Sequence, residues 1–72
     1  MNLRLGKLNM NIKWQKEKKN SIKAEYRFTE YGNNYYDILL DGEVVRKNVI
    51  EWDVPEIIDW YTTRYDIRYK SW

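Results

Sequence analysis

Two hydrophobic periods divide the chain. Leu8, Met10, Ile12 and Trp14 occupy every second position with Asn9, Asn11 and Lys13 between them, the alternation of a strand with one buried face. The pattern predicts a first strand over Lys7–Gln15, and the charged run Lys16-Glu17-Lys18-Lys19-Asn20 reads as a connection. Ile22, Ala24, Tyr26 and Phe28 then alternate with Lys23, Glu25, Arg27 and Thr29 as a second strand. Gly32-Asn33-Asn34 tolerates positive φ and predicts a reversal before a third strand, Tyr35–Leu40. Asp41-Gly42 follows, the strongest hairpin signal in the chain, and Glu43–Ile50 is the returning fourth strand.

The period then lengthens. Val54, Ile57, Ile58, Tyr61 and Tyr65 recur at i, i+3, i+4, i+7 and i+11, one apolar stripe on a helix. Asp53 lies three residues before Glu56 in the spacing of a capping box, and Pro55 suits a first turn because its missing N–H has no partner there. Val54 precedes proline and so disfavours helical geometry, which puts the cap at Asp53 or one residue away. Asp66–Trp72 alternates again, Ile67 and Tyr69 against Arg68 and Lys70, and is either a fifth strand or a loose tail.

A single apolar stripe and a single apolar sheet face hide each other most economically by packing together. The expected architecture is therefore α+β: an antiparallel four- to five-stranded β-meander packed against one C-terminal α-helix, in a single small domain over residues 1–72. Trp14, Ile22, Tyr26, Phe28, Ile38, Leu40, Ile57, Ile58 and Tyr61 are its expected core.

Composition narrows the chemistry. A chain of 72 residues leaves no room for a deep active-site cavity. It has no cysteine and no histidine, so disulfides, thiolate nucleophiles, zinc–thiolate and histidine metal sites, and Ser-His or Cys-His catalysis are absent together. Asp53, Glu56 and Asp59 share helical spacing, but acids near the start of a helix are explained by its dipole. The expectation is a non-enzyme without cofactor or metal. No run reaches the ~18 apolar residues of a membrane span, and the first residues lack the apolar stretch of a signal peptide, so no membrane association and a cytoplasmic location are expected. Abundant Lys, Asn, Ile and Tyr, with one Pro and one Ala, suggest AT-rich coding DNA, as in low-GC bacteria, their phages and mobile elements.

Charge is segregated. The thirteen basic and eleven acidic residues give +2 in total. Through Phe28, eight basic residues oppose two acidic ones, +6; from Thr29 to Trp60, two oppose eight, −6; the remainder adds Arg64, Arg68 and Lys70 against Asp66, +2. Whether that polarity survives folding depends on strand order.

Two binding surfaces follow. Four Trp, seven Tyr and one Phe exceed what one small core needs, and exposed Tyr and Trp anchor protein interfaces. Tyr31, Tyr35, Asp37, Asp41, Glu43, Glu56, Asp59 and Trp60 are the candidate protein-binding set. They suit a phage or mobile-element inhibitor that occludes a host nucleic-acid-handling or defence enzyme, an anti-CRISPR-like role, through a host protein's Lys and Arg. The alternative is a nucleic-acid-binding protein, for single-stranded DNA or RNA, that uses the basic residues Lys13, Lys16, Lys18, Lys19, Lys23 and Arg27. A homodimer joined through the outer strand or the tail is the third arrangement.

Overall fold

Two dipeptides set the frame. Tyr31 (φ 52°) and Gly32 (φ 81°), and again Asp41 (φ 55°) and Gly42 (φ 82°), hold consecutive left-handed conformations, the backbone of a two-residue type I′ turn whose twist matches its flanking strands. The computed structural model describes residues 16–71. The turns separate β1 (Glu17–Glu30), β2 (Asn33–Leu40) and β3 (Glu43–Ile50). A 3₁₀ turn, Glu51–Asp53, leads into α1 (Val54–Arg64), and β4 (Tyr65–Ser71) ends the described chain. The expected first strand, Lys7–Gln15, lies outside the described residues, as does Trp14.

β1 is longer than the alternation predicts, because the charged run from Glu17 to Asn20 is strand and not connection. An edge of a sheet accepts charged side chains, so β1 continues into this run beside β4. The chain reverses at Tyr31-Gly32, and Asn33 and Asn34 already belong to β2.

The sheet order is β3-β2-β1-β4. β2 pairs antiparallel with both neighbours, whereas β4 pairs parallel with β1, from Glu17 beside Tyr65 to Lys23 beside Ser71. The expected all-antiparallel meander is thus corrected to a mixed sheet. Residues 66–71, which the sequence left as strand or tail, form a strand. Its parallel direction follows from α1, which carries the chain back across the sheet before β4 begins, as a strand–helix–strand crossover does.

Directly paired residues share a face of a sheet. Ile22 and Leu40, and Ala24 and Ile38, therefore lie on one face, where they meet Val54, Ile58 and Tyr61 of α1 together with Val49 and Ile67. Ile22, Ile38 and Ile58 are almost fully enclosed, and Ile57 is half-buried. Tyr26 and Phe28 were expected in this core but are exposed, because β1 and β2 run on past the start of α1. A register break between Tyr26 and Phe28 also moves Phe28 to the opposite face, where its ring stacks on Tyr35 at 4.9 Å. The expected capping box does not form: Asp53 makes no side-chain cap hydrogen bond, since the 3₁₀ turn precedes the helix and holds Asp53 in helical backbone geometry. Pro55 does occupy the first turn.

Candidate protein-binding groove

The sheet outruns α1, and a groove opens where the helix begins. Its floor is Ala24 and Tyr36; Val54, Pro55 and Trp52 form its walls and Glu51 its rim, enclosing about 390 Å³. Ala24 is the small residue in the apolar row of β1, so the floor is hollow there. The 3₁₀ turn puts Trp52 outside the helical stripe, and its side chain remains 64% exposed. Tyr26 meets Tyr36 edge-on, 5.9 Å between ring centroids, and is itself more than half exposed.

A hydrogen-bond relay fixes this end of the molecule. Thr29 Oγ1 donates to Asn34 Oδ1 at 2.7 Å, so the Tyr26 hydroxyl, 2.7 Å away, donates to Thr29. Asn34 Nδ2 donates in turn to Glu51 Oε1 at 3.0 Å. Both turns of backbone that frame the groove are thereby tied together. Glu51, Asp53 and Glu56 surround the start of the helix, where its dipole favours carboxylates, and among the described residues no cation lines the groove.

The expected protein-binding residues occupy separate places. Tyr31 stands at a hairpin tip, 94% exposed, and Tyr35 lies on the sheet face away from the helix, paired with Phe28. Asp37 is buried: its Oδ1 accepts the Asn48 N–H at 3.1 Å, and its Oδ2 lies 3.5 Å from Arg27 Nε. Asn48 has φ 53° beside two register breaks between β2 and β3, so Asp37 stabilises an irregular stretch of β3. Asp41 Oδ1 accepts the N–H groups of both Asn20 (2.6 Å) and Ser21 (3.1 Å). Glu43 opens β3, and Glu56, Asp59 and Trp60 lie on α1, with the Arg64 guanidinium 3.8 Å from the Trp60 ring centroid. Of the eight, Glu56 alone neighbours the groove in sequence, next to Pro55. Trp52, Tyr26 and Tyr36 supply the aromatic surface instead. One signal pointed to Trp52: it falls on neither the strand period nor the helix period.

The basic residues are gathered by topology. Lys18, Lys19 and Lys23 lie on the first half of β1, just after Lys16, and the parallel pairing brings Arg68 and Lys70 of β4 beside them, with Arg64 at the end of α1. With Glu17, Asp66 and, from the β2–β3 turn, Asp41 and Glu43, this end carries seven basic and four acidic side chains, +3. The rest of residues 24–63 carries three basic and seven acidic ones, −4. Arg27 is separate, paired with Asp37, and Lys13 lies outside the described residues. Lys19 is engaged: its Nζ is 3.1 Å from Glu17 Oε2 and 5.4 Å from the Tyr65 ring centroid, and the hydrogen bond to Glu17 raises its pKa above the ordinary lysine value. A cleft of about 580 Å³ at this end is lined by Lys18, Lys19, Arg68 and Asn20 but also by Asp41 and Asp66, so it is mixed in sign.

Among the described residues no helix is long and apolar enough to cross a membrane. No family model matches this chain, and no curated protein and no solved structure matches it either.

Proposed function

We propose that the chain is a non-enzymatic protein-binding module whose working surface is the groove at the start of α1. The observation that carries this reading is Trp52, a large ring left 64% exposed beside an apolar hollow in the acidic part of the molecule. The partner that fits is a protein segment offering one aliphatic or aromatic side chain flanked by Lys or Arg: the side chain fills the hollow over Ala24 and Tyr36, and the cations meet Glu51, Asp53 and Glu56. Such a surface competes for the basic residues with which a nucleic-acid-handling enzyme holds phosphate, and inhibition by occlusion is the corresponding mechanism.

Selection of displayed random 12-residue peptides on the immobilised chain tests this. Enriched peptides are expected to carry an apolar anchor between basic residues and to bind Trp52→Ala at least about 30-fold more weakly, the loss of a hot spot of about 2 kcal/mol. Trp52 is exposed, so the variant retains its fold, which circular dichroism checks. Peptides without basic flanks, or unchanged affinity for Trp52→Ala, would refute the assignment.

The gathering of Lys18, Lys23, Arg68 and Lys70 along β1 and β4 favours a second reading, nucleic-acid binding at the opposite end. It requires anisotropy of labelled single-stranded oligonucleotides to show binding that weakens steeply with salt and is lost on changing Lys18, Lys23 and Arg68 to Glu. Salt-insensitive or absent binding removes it.

A further inference from the structure

The two edges of the sheet differ. β3 is irregular, with two register breaks and a left-handed Asn48, features that hinder pairing with another strand. β4 pairs in unbroken register with β1 and has no proline. Among the described residues nothing pairs with its outer edge. The strand also leaves a large ring exposed: Tyr69 is 64% exposed, with the Arg68 guanidinium 5.9 Å from its ring centroid.

We infer that the outer edge of β4 pairs antiparallel with β4 of a second copy, with Ile67 opposite Ile67 at the two-fold axis. Of the registers centred on Asp66, Ile67 or Arg68, that one alone is self-complementary within Tyr65–Tyr69, although it also brings Arg64, at the end of α1, opposite Lys70 of the copy. Asp66 then faces Arg68 of the copy, twice, on one side of the joined sheet, and Tyr65 faces Tyr69 of the copy, twice, on the other. Centring on Arg68 would oppose two guanidiniums, and centring on Asp66 two carboxylates. Opposite charges and aromatic pairs across antiparallel strands are the stabilising combinations, and like charges are the destabilising ones. Tyr65 already stacks on Tyr61 of α1, at 6.3 Å, so Tyr69 of the copy extends an existing aromatic row. The two helices approach the joined strands at opposite ends, four residues or about 13 Å apart along the strand, which leaves each its own space. Repulsion between the two basic ends opposes the pairing and keeps it weak.

Sedimentation equilibrium of the full chain at about 0.15 M salt, where screening acts within about 8 Å, reads the result. The wild type is expected to rise from 9.0 kDa toward twice that mass between about 5 and 500 μM. Asp66→Arg and Arg68→Asp each place like charges opposite one another, and each alone should remain monomeric over that range. An equimolar mixture of the two restores both pairs and should dimerise. Amide hydrogen exchange of the wild type provides a readout free of substitutions: outward amides of residues 65–71 should gain protection as concentration rises. A wild type that stays monomeric at 500 μM, single variants that dimerise like the wild type, a mixture of folded variants that stays monomeric, or β4 protection independent of concentration would each overturn the inference.

Discussion

Asp41 was a candidate binding residue by sequence, yet its carboxylate is committed to the backbone. In a regular strand successive N–H groups point to opposite edges; here those of Asn20 and Ser21 both meet Asp41 Oδ1, while the Asp41 N–H donates to the Ser21 carbonyl at 2.9 Å. The residue thus locks the β2–β3 turn onto β1 at the point where β4 begins to replace β2 as the main neighbour. Asp41→Ala removes both accepted bonds, each worth about 0.5–1 kcal/mol net at an exposed site. The Cβ that Ala keeps at φ 55° is already present in the wild type, so the backbone adds no large term. The expected loss is about 1–2 kcal/mol, a sizeable share of the 4–11 kcal/mol typical of a domain this size. Asp41→Gly loses the same two bonds but relieves the left-handed Cβ by about 1 kcal/mol, and should lose only about 0–1 kcal/mol. Asp41→Asn keeps a carbonyl acceptor and tolerates the turn, and should lose about 1 kcal/mol or less. Urea unfolding followed by tryptophan fluorescence gives the three values. Near-equal losses for the Ala and Gly variants would refute the backbone contribution, and an Ala variant within about 0.5 kcal/mol of wild type would refute the locking role.

Ile58, 1% exposed between helix and sheet, should cost about 2–5 kcal/mol on truncation to Ala, whereas the same change at half-buried Ile57 should cost clearly less; equal losses in urea unfolding would contradict the assigned helix face. Asn48→Gly keeps the N–H that Asp37 accepts and removes a left-handed side chain, so its thermal midpoint should match or exceed that of wild type, while the β-branched Asn48→Val should fall by about 1–2 kcal/mol. A Val variant as stable as wild type would show that β3 relaxes out of its irregular geometry.

Sequence pattern exposed the parts of the fold that depend on neighbours along the chain. Asp41-Gly42 marked its turn through two residues that accept positive φ, and Ile58 and Tyr61 marked the buried helix face through their spacing. The pattern was silent where the outcome depends on what lies beside an element. Tyr26 and Phe28 continue the apolar row of β1, yet no helix reaches them, and nothing in β1 records the length of α1. Lys16–Asn20 reads as a connection because polar runs usually are connections, but at an edge shared with β4 such a run can extend the strand. Trp52 was passed over for the opposite reason: its one signal was that it belongs to neither period, and its exposure is set by a 3₁₀ turn that no local composition announced.

Strand direction decides more than the fold class, because it decides the electrostatics. Had the last strand paired beside β3 instead, Arg68 and Lys70 would be brought close to Glu43 and the acidic helix and the charges would partly cancel. The crossover instead delivers β4 to the far edge, beside Lys18, Lys19 and Lys23, while Glu51, Asp53, Glu56 and Asp59 stay with the helix. A chain of net charge +2 therefore gathers a basic end of about +3 around β1 and β4, Asp41 and Glu43 included, and keeps Glu51, Asp53 and Glu56 at the other end. That separation lets the acidic groove and the basic edge act on different partners, and it makes the two readings experimentally separable: charge reversal along β4 should alter oligonucleotide binding or self-association and leave peptide capture at Trp52 unchanged.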